Sequence, residues 1–273
     1  MNITVKEQAD LMRAVELLEY PSITAKITSL IGSPIERVMA FLPEKTKQAV
    51  DGLTNTALKR ATEVALMTLK DQPSRPSSNR AHQFSVACTG ALGGAFGLGV
   101  LAVELPISTT IMLRSIADIA RSEGELLGSV ECKLACLEVF ALGGPNEGDD
   151  DSETGYYTTR ILLARATQDL AEKLVKNGVL DVGAPIFMRF LSKIAERFGI
   201  QLTEKLVAQA VPAIGALGGA TINTLFLEHY QRMARGHFII RRLERKYGKK
   251  IVKSLYARAY QELQFPIDVQ ITG

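Results

Sequence analysis

The chain of 273 residues has no tryptophan and three cysteines. An odd and small cysteine count excludes a disulfide framework. Cys132 and Cys136 are four apart and share a helix face, but His82, His229 and His237 stand far off with no ligand spacing, so no metal site is predicted. Both cysteines read as small buried hydrophobes in a reducing cytoplasm. From Met1 to Tyr20 there is no apolar core; Lys6, Glu7, Asp10, Arg13, Glu16 and Glu19 occupy the segment, which predicts no signal peptide. Sustained alternation of apolar and polar residues is missing, which argues against strands. GxSxG, HExxH, P-loop and paired CxxC arrangements are missing too, so no cofactor and no motif-borne catalysis is expected.

Net charge is also small, at +3, but the sum hides its parts. From Gln231 to Tyr260 there are ten Lys or Arg against the single acid Glu244, a local charge of +9. The remaining 22 basic and 28 acidic groups give −6.

What is present is helical. Leu11, Ala14, Val15 and Leu18 form one face of a helix from Val5 to Leu18, and a short segment from Pro21 to Leu30 follows. Val50, Leu53, Ala57, Ala61, Val64, Ala65 and Leu69 recur at a 3.6-residue period within a helix from Glu44 to Lys70. Asp71 to Asn79 is a Pro- and Ser-rich loop. An uncharged helix from Phe84 to Val103 is expected next, then one with Pro106 in its first turn that ends near Ser122 and is capped by Gly124. Glu125 to Leu142 is a further helix. Gly143 to Thr154 is an acidic linker without the alternate-ligand spacing of a calcium loop. Helices are then expected over Tyr156–Val175, Pro185–Arg197, Thr203–Gly236, His237–Tyr247 and Lys249–Leu263. The predicted class is an all-α multi-helix bundle.

A repeat lies inside it. Gly90-Ala-Leu-Gly-Gly-Ala95 recurs as Gly215-Ala-Leu-Gly-Gly-Ala220, each followed by an acid (Glu104, Glu228) and later by a capping glycine (Gly124, Gly248). This reads as two pseudo-repeated Gly-rich helical pairs. Gly90 and Gly94, Gly93 and Gly97, and Gly215 and Gly219 are four apart; with Gly218 they make faces on which another backbone can pack closely. Phe84–Val103 and Leu206–Leu227 are uncharged and long enough to span a bilayer. Their glycines, Gln209, Pro212 and Asn223 fit buried helices of a soluble or peripheral protein better than insertion.

Two groups of residues carry chemistry. Glu104 and Glu228 border apolar helices, where a carboxylate needs a partner. Either each is salt-bridged in the core, or the two act as general acid and base or as metal ligands, with Asn223 and His229 beside them. Arg241, Arg245 and Lys249 are spaced by four, as are Arg242, Lys246 and Lys250; with Lys253 they form a basic face suited to an anionic membrane surface. The alternative is a solvated face turned to the acidic linker. No nucleic-acid reading motif accompanies this charge, which argues against a nucleic-acid partner.

In combination the motifs resemble the EcsC family. The resemblance rests on Gly90 to Gly99 with Glu104-Leu105-Pro106, on Leu113 to Ala120 leading to Gly124, on Gly215 to Ala220 with Asn223, and on His237 to Gly248. It covers roughly Ala81 to Ile251, with departures at Glu104, where the family tends to have Asp, and at Ser122-Glu123-Gly124, where it tends to have Tyr-Gly. It implies a bacterial intracellular helical protein acting at or near the membrane, and it brings no catalytic residues. The family is named for a protein encoded beside an ABC transporter.

The domain expectation is 1–80 for N-terminal helices and linker, 81–263 for the EcsC-like helical domain with its acidic loop at 143–154, and 264–273 for a tail. The leading functional expectation is a non-enzymatic protein at the cytoplasmic membrane surface or on an ABC-transporter-like membrane protein. Two alternatives stand beside it: a hydrolase or lipid-modifying enzyme using Glu104 and Glu228, and a soluble module binding a small apolar ligand or a partner helix.

Overall fold

The computed structural model describes residues 3–20, 43–68, 98–144, 154–177, 183–210 and 215–264. The expected segment Pro21–Leu30, the loop Asp71–Asn79, Gly90, Gly93, Gly94 and Gly97, and the linker acids lie outside the described residues.

Among the described residues the chain is all-helical: α1 Val5–Glu19, α2 Glu44–Thr68, α3 Leu98–Ser122, α4 Val130–Glu138 with a 3₁₀ turn Val139–Ala141, α5 Gly155–Asn177, α6 Pro185–Ala210, α7 Gly215–Tyr247 and α8 Lys249–Gln264. The long α7 packs against α1, α3, α6 and α8, while α2 packs against α3 and α6. Phe140, Phe198, Phe226 and Tyr230 meet ring to ring where the 3₁₀ turn, α6 and α7 converge. None of the described helices is long and apolar enough to cross a membrane.

Local sequence explains the ends. Thr4 and Glu7 form a reciprocal capping box at the start of α1, satisfying donors the helix cannot. Behind it Leu11, Ala14, Val15 and Leu18 are all buried. α3 closes in a Schellman arrangement, with Gly124 N–H on Arg121 C=O (3.0 Å) and Glu125 N–H on Ala120 C=O (3.0 Å). Gly124 (φ 81°) and Gly248 (φ 88°) occupy the left-handed region that a Cβ disfavours. Ser129 caps α4 by accepting from Cys132 N–H (3.1 Å), and Cys132 and Cys136 are buried along that helix.

Five expected boundaries differ, one being that the helix expected over Thr203–Gly236 falls in two elements, α6 to Ala210 and α7 from Gly215. Pro106 lies inside α3 rather than opening a new helix, because the ring removes one hydrogen bond without stopping the helices around it from holding the segment. Glu125–Ser129 precede α4, which starts at Val130 behind its serine cap. The expected break after Arg197 is absent: α6 runs through Gly199, where a Cβ would sit 3.3 Å from Asp51 Oδ1 of α2. The expected break at Gly236 is absent as well. A Cβ there would lie 2.6 Å from Leu18 Cγ and 3.1 Å from the Ala14 carbonyl, so this glycine admits α1 against α7. The second expected helical pair is therefore one continuous helix, with Gly215, Gly218 and Gly219 in its first turns and its basic residues in its last. What those three glycines pack against lies outside the described residues.

Candidate functional site

The three helices that meet near the start of α7 bury an unusual set of polar side chains. Glu104 of α3 accepts on Oε1 from Asn223 Nδ2 of α7 (2.9 Å) and from Lys205 Nζ of α6 (3.3 Å). Asn223 is wholly buried, and Lys205 and Glu104 are 1% and 6% exposed. Lys205 also lies over the Phe226 ring, 5.3 Å from its centroid. Burial pushes the Lys205 ammonium below its usual range, against the opposing pull of Glu104. One turn before Lys205, Gln201 donates to the Leu142 carbonyl (3.0 Å) and accepts from the Tyr230 hydroxyl. Burial raises the Tyr230 phenol, and the nearby Glu204 charge adds to the effect.

Of the expected catalytic candidates, the structure brings together Glu104 and Asn223. Glu228 follows Asn223 by five residues, a rotation of about 140° around the helix, so it occupies another face and is half-buried. His229 is buried against Gly143, where a Cβ would come within 2.5 Å of its Cε1. Lys205 was not among the sequence candidates. The signal for it existed: Ile194, Phe198 and Gln201 continue at helical spacing to Lys205, but a break at Gly199 hides that register.

A second buried network lies where α5 meets α7 and α8. The Tyr156 hydroxyl and His237 Nδ1 are 3.0 Å apart, and the Tyr156 and Tyr256 rings stack at 5.5 Å. Glu19 accepts from the Tyr256 hydroxyl (2.7 Å) and the Tyr156 N–H (3.3 Å). Arg160 grips Glu244 with two bonds of 2.7 and 3.0 Å. Burial, reinforced by Arg160 and Arg241, drives His237 well below the usual histidine range and keeps it neutral. Burial raises Glu19 and Glu138.

The basic face is largely paired within the molecule. Arg241 reaches Glu125 (2.9 Å), which also accepts from Arg245. Arg242 bridges Asp10 (2.6 Å) and Glu123 (2.7 Å), and Lys246 meets Glu7 (2.6 Å). Lys246, with Thr4 and Tyr247, holds the Glu7 carboxyl down to about 2. The acids that meet these cations come from α1 and the α3–α4 connection. Lys249, Lys250 and Lys253 on α8 are exposed, with the Lys253 ammonium 5.6 Å from the Tyr157 ring centroid. Among the described residues, no group of three His, Cys, Asp or Glu stands ready to hold a metal ion.

An all-helical bundle with a sealed Glu–Lys–Asn cluster at one end of its longest helix and a clamped basic segment at the other defines the class of protein. The family model of the EcsC protein family matches residues 11–243, and the chain belongs to that family. The match takes in α1 from Leu11, α2 to α6, and α7 as far as Leu243. No curated protein and no solved structure matches the chain.

Proposed function

We propose that this protein is a non-enzymatic helical protein that associates peripherally with the anionic, cytoplasmic surface of a membrane. The observation that carries the reading is the division of the basic residues. Arg241, Arg242, Arg245 and Lys246 each meet an internal acid, whereas Lys249 and Lys250 stand exposed at the start of α8, one turn before the exposed Lys253. Lysines at such a flank each contribute about 1 kcal/mol near an anionic bilayer. The absence of a membrane-crossing helix among the described residues is compatible with contact from one side. The enzymatic alternative has less support, because Glu104 is engaged by Lys205 and Asn223 while Glu228 occupies another face of α7.

Co-sedimentation with phosphatidylcholine vesicles, with and without phosphatidylserine, tests this. Binding is expected to require phosphatidylserine, to weaken with salt, and to fall roughly 100-fold when Lys249, Lys250 and Lys253 are all changed to Gln. Equal binding to both vesicles, or none, overturns it.

A further inference from the structure

The lysines of α8 do not face solvent alone. Tyr156 stacks on Tyr256, and Tyr157 lies beneath Lys253, so the first turn of α5 meets α8. One turn beyond Tyr157 comes Ile161; one turn before Lys253 come Lys249 and Lys250. The double grip of Arg160 on Glu244 fixes this stretch of α5 against the end of α7. On its outward side Ile161 and Leu162 are 52% and 55% exposed, two adjacent large aliphatics, with exposed Arg165 one turn after Ile161. Acids do occur on α5, but Asp169 and Glu172 come two turns or more further along.

We infer that Ile161 and Leu162 are an apolar anchor that enters the interfacial layer of an anionic phospholipid bilayer, with Lys249, Lys250 and Arg165 on the headgroups around it. This rests on the membrane-surface reading above and adds to it the hydrocarbon contact and the orientation. Aliphatics flanked by cations match a surface that offers both phosphate and acyl chain. The consequence is a component of binding that salt does not remove, since apolar burial is not screened.

The lack of tryptophan makes the test direct. Ile161→Trp places a single tryptophan on α5, and Val103→Trp places one on α3 at a side chain 64% exposed. With phosphatidylserine-containing vesicles, the Ile161→Trp emission is expected to shift to the blue and to be quenched by brominated acyl chains; the Val103→Trp emission is expected to stay unchanged. Ile161→Ser with Leu162→Ser is expected to weaken binding about 10- to 30-fold and to abolish the part that survives high salt. If the Ile161→Trp protein pellets with vesicles but shows neither shift nor quenching, the anchor is wrong and the electrostatic reading stands. If it fails to pellet at all, both fall.

Discussion

The two ends of α7 handle charge in opposite ways. Near its start, Asn223 joins Glu104 and Lys205 in a cluster sealed from water, with side chains of the ion pair 5% and 2% exposed. Near its end, Arg242, Arg245 and Lys246 are themselves 38–54% exposed and hold acids that are 6–25% exposed. The pairing chemistry is the same, but the surroundings decide its consequence. A sealed pair has already lost its hydration, so removing one partner strands the other. A solvated pair has water to fall back on, and its worth is small. Salt bridges at one end of the helix therefore constrain the core, and those at the other tie surface cations to α1 and the α3–α4 connection.

Breaking the sealed end gives the largest expected effect. Lys205→Met leaves Glu104 buried with, among the described residues, only Asn223 donating to it, and is expected to cost about 3–5 kcal/mol in urea unfolding. Combining it with Glu104→Leu removes both charges and is expected to recover most of that loss, because the desolvation cost disappears with the pair. A Lys205→Met protein within about 1 kcal/mol of the parent would show that the interior is wetter than its burial implies.

The middle of α7 gives the next effect and also shows what the sequence could reveal. Gly236→Ala is expected to destabilise by about 1–3 kcal/mol, since Leu18 must yield and the Ala14 carbonyl cannot. Gly52→Ala in α2 meets nothing within 4 Å and is expected to stabilise by about 0.5–1 kcal/mol. Equal effects at both sites would deny the close approach of α1. In the sequence Gly236 and Gly199 resemble helix breaks, because a glycine's neighbour in space is not written beside it. The α1 face was legible, since a clean apolar period and a Thr4–Glu7 capping box are local signals. In α2 the period was less complete. Thr54 and Thr62 are buried with their hydroxyls on the Val50 and Leu58 carbonyls (2.7 Å each), whereas Val64 is 38% exposed. At the candidate site, Glu104 and Asn223 were visible as polar residues in apolar surroundings, but Lys205 depended on an unbroken α6. The partners of the basic face were out of reach. Glu7 and Lys246 are brought together only by the packing of α1 on α7.

The far end of α7 should respond least. Arg245 is 43% exposed, and the Glu125 carboxylate it meets is also held by Arg241 through two bonds of 2.9 and 3.3 Å. Arg245→Ala therefore leaves no orphaned charge, and its expected cost is about 0.2–1 kcal/mol, shrinking as salt is added. Arg241→Ala is the sharper companion, because Arg241 is only 22% exposed and its loss would leave the buried Glu125 to the more exposed Arg245. Urea unfolding of the two variants at low and high salt ranks them. If Arg245→Ala matches Lys205→Met in cost, exposure is not what separates the two ends, and the seal around Glu104 loses its special standing.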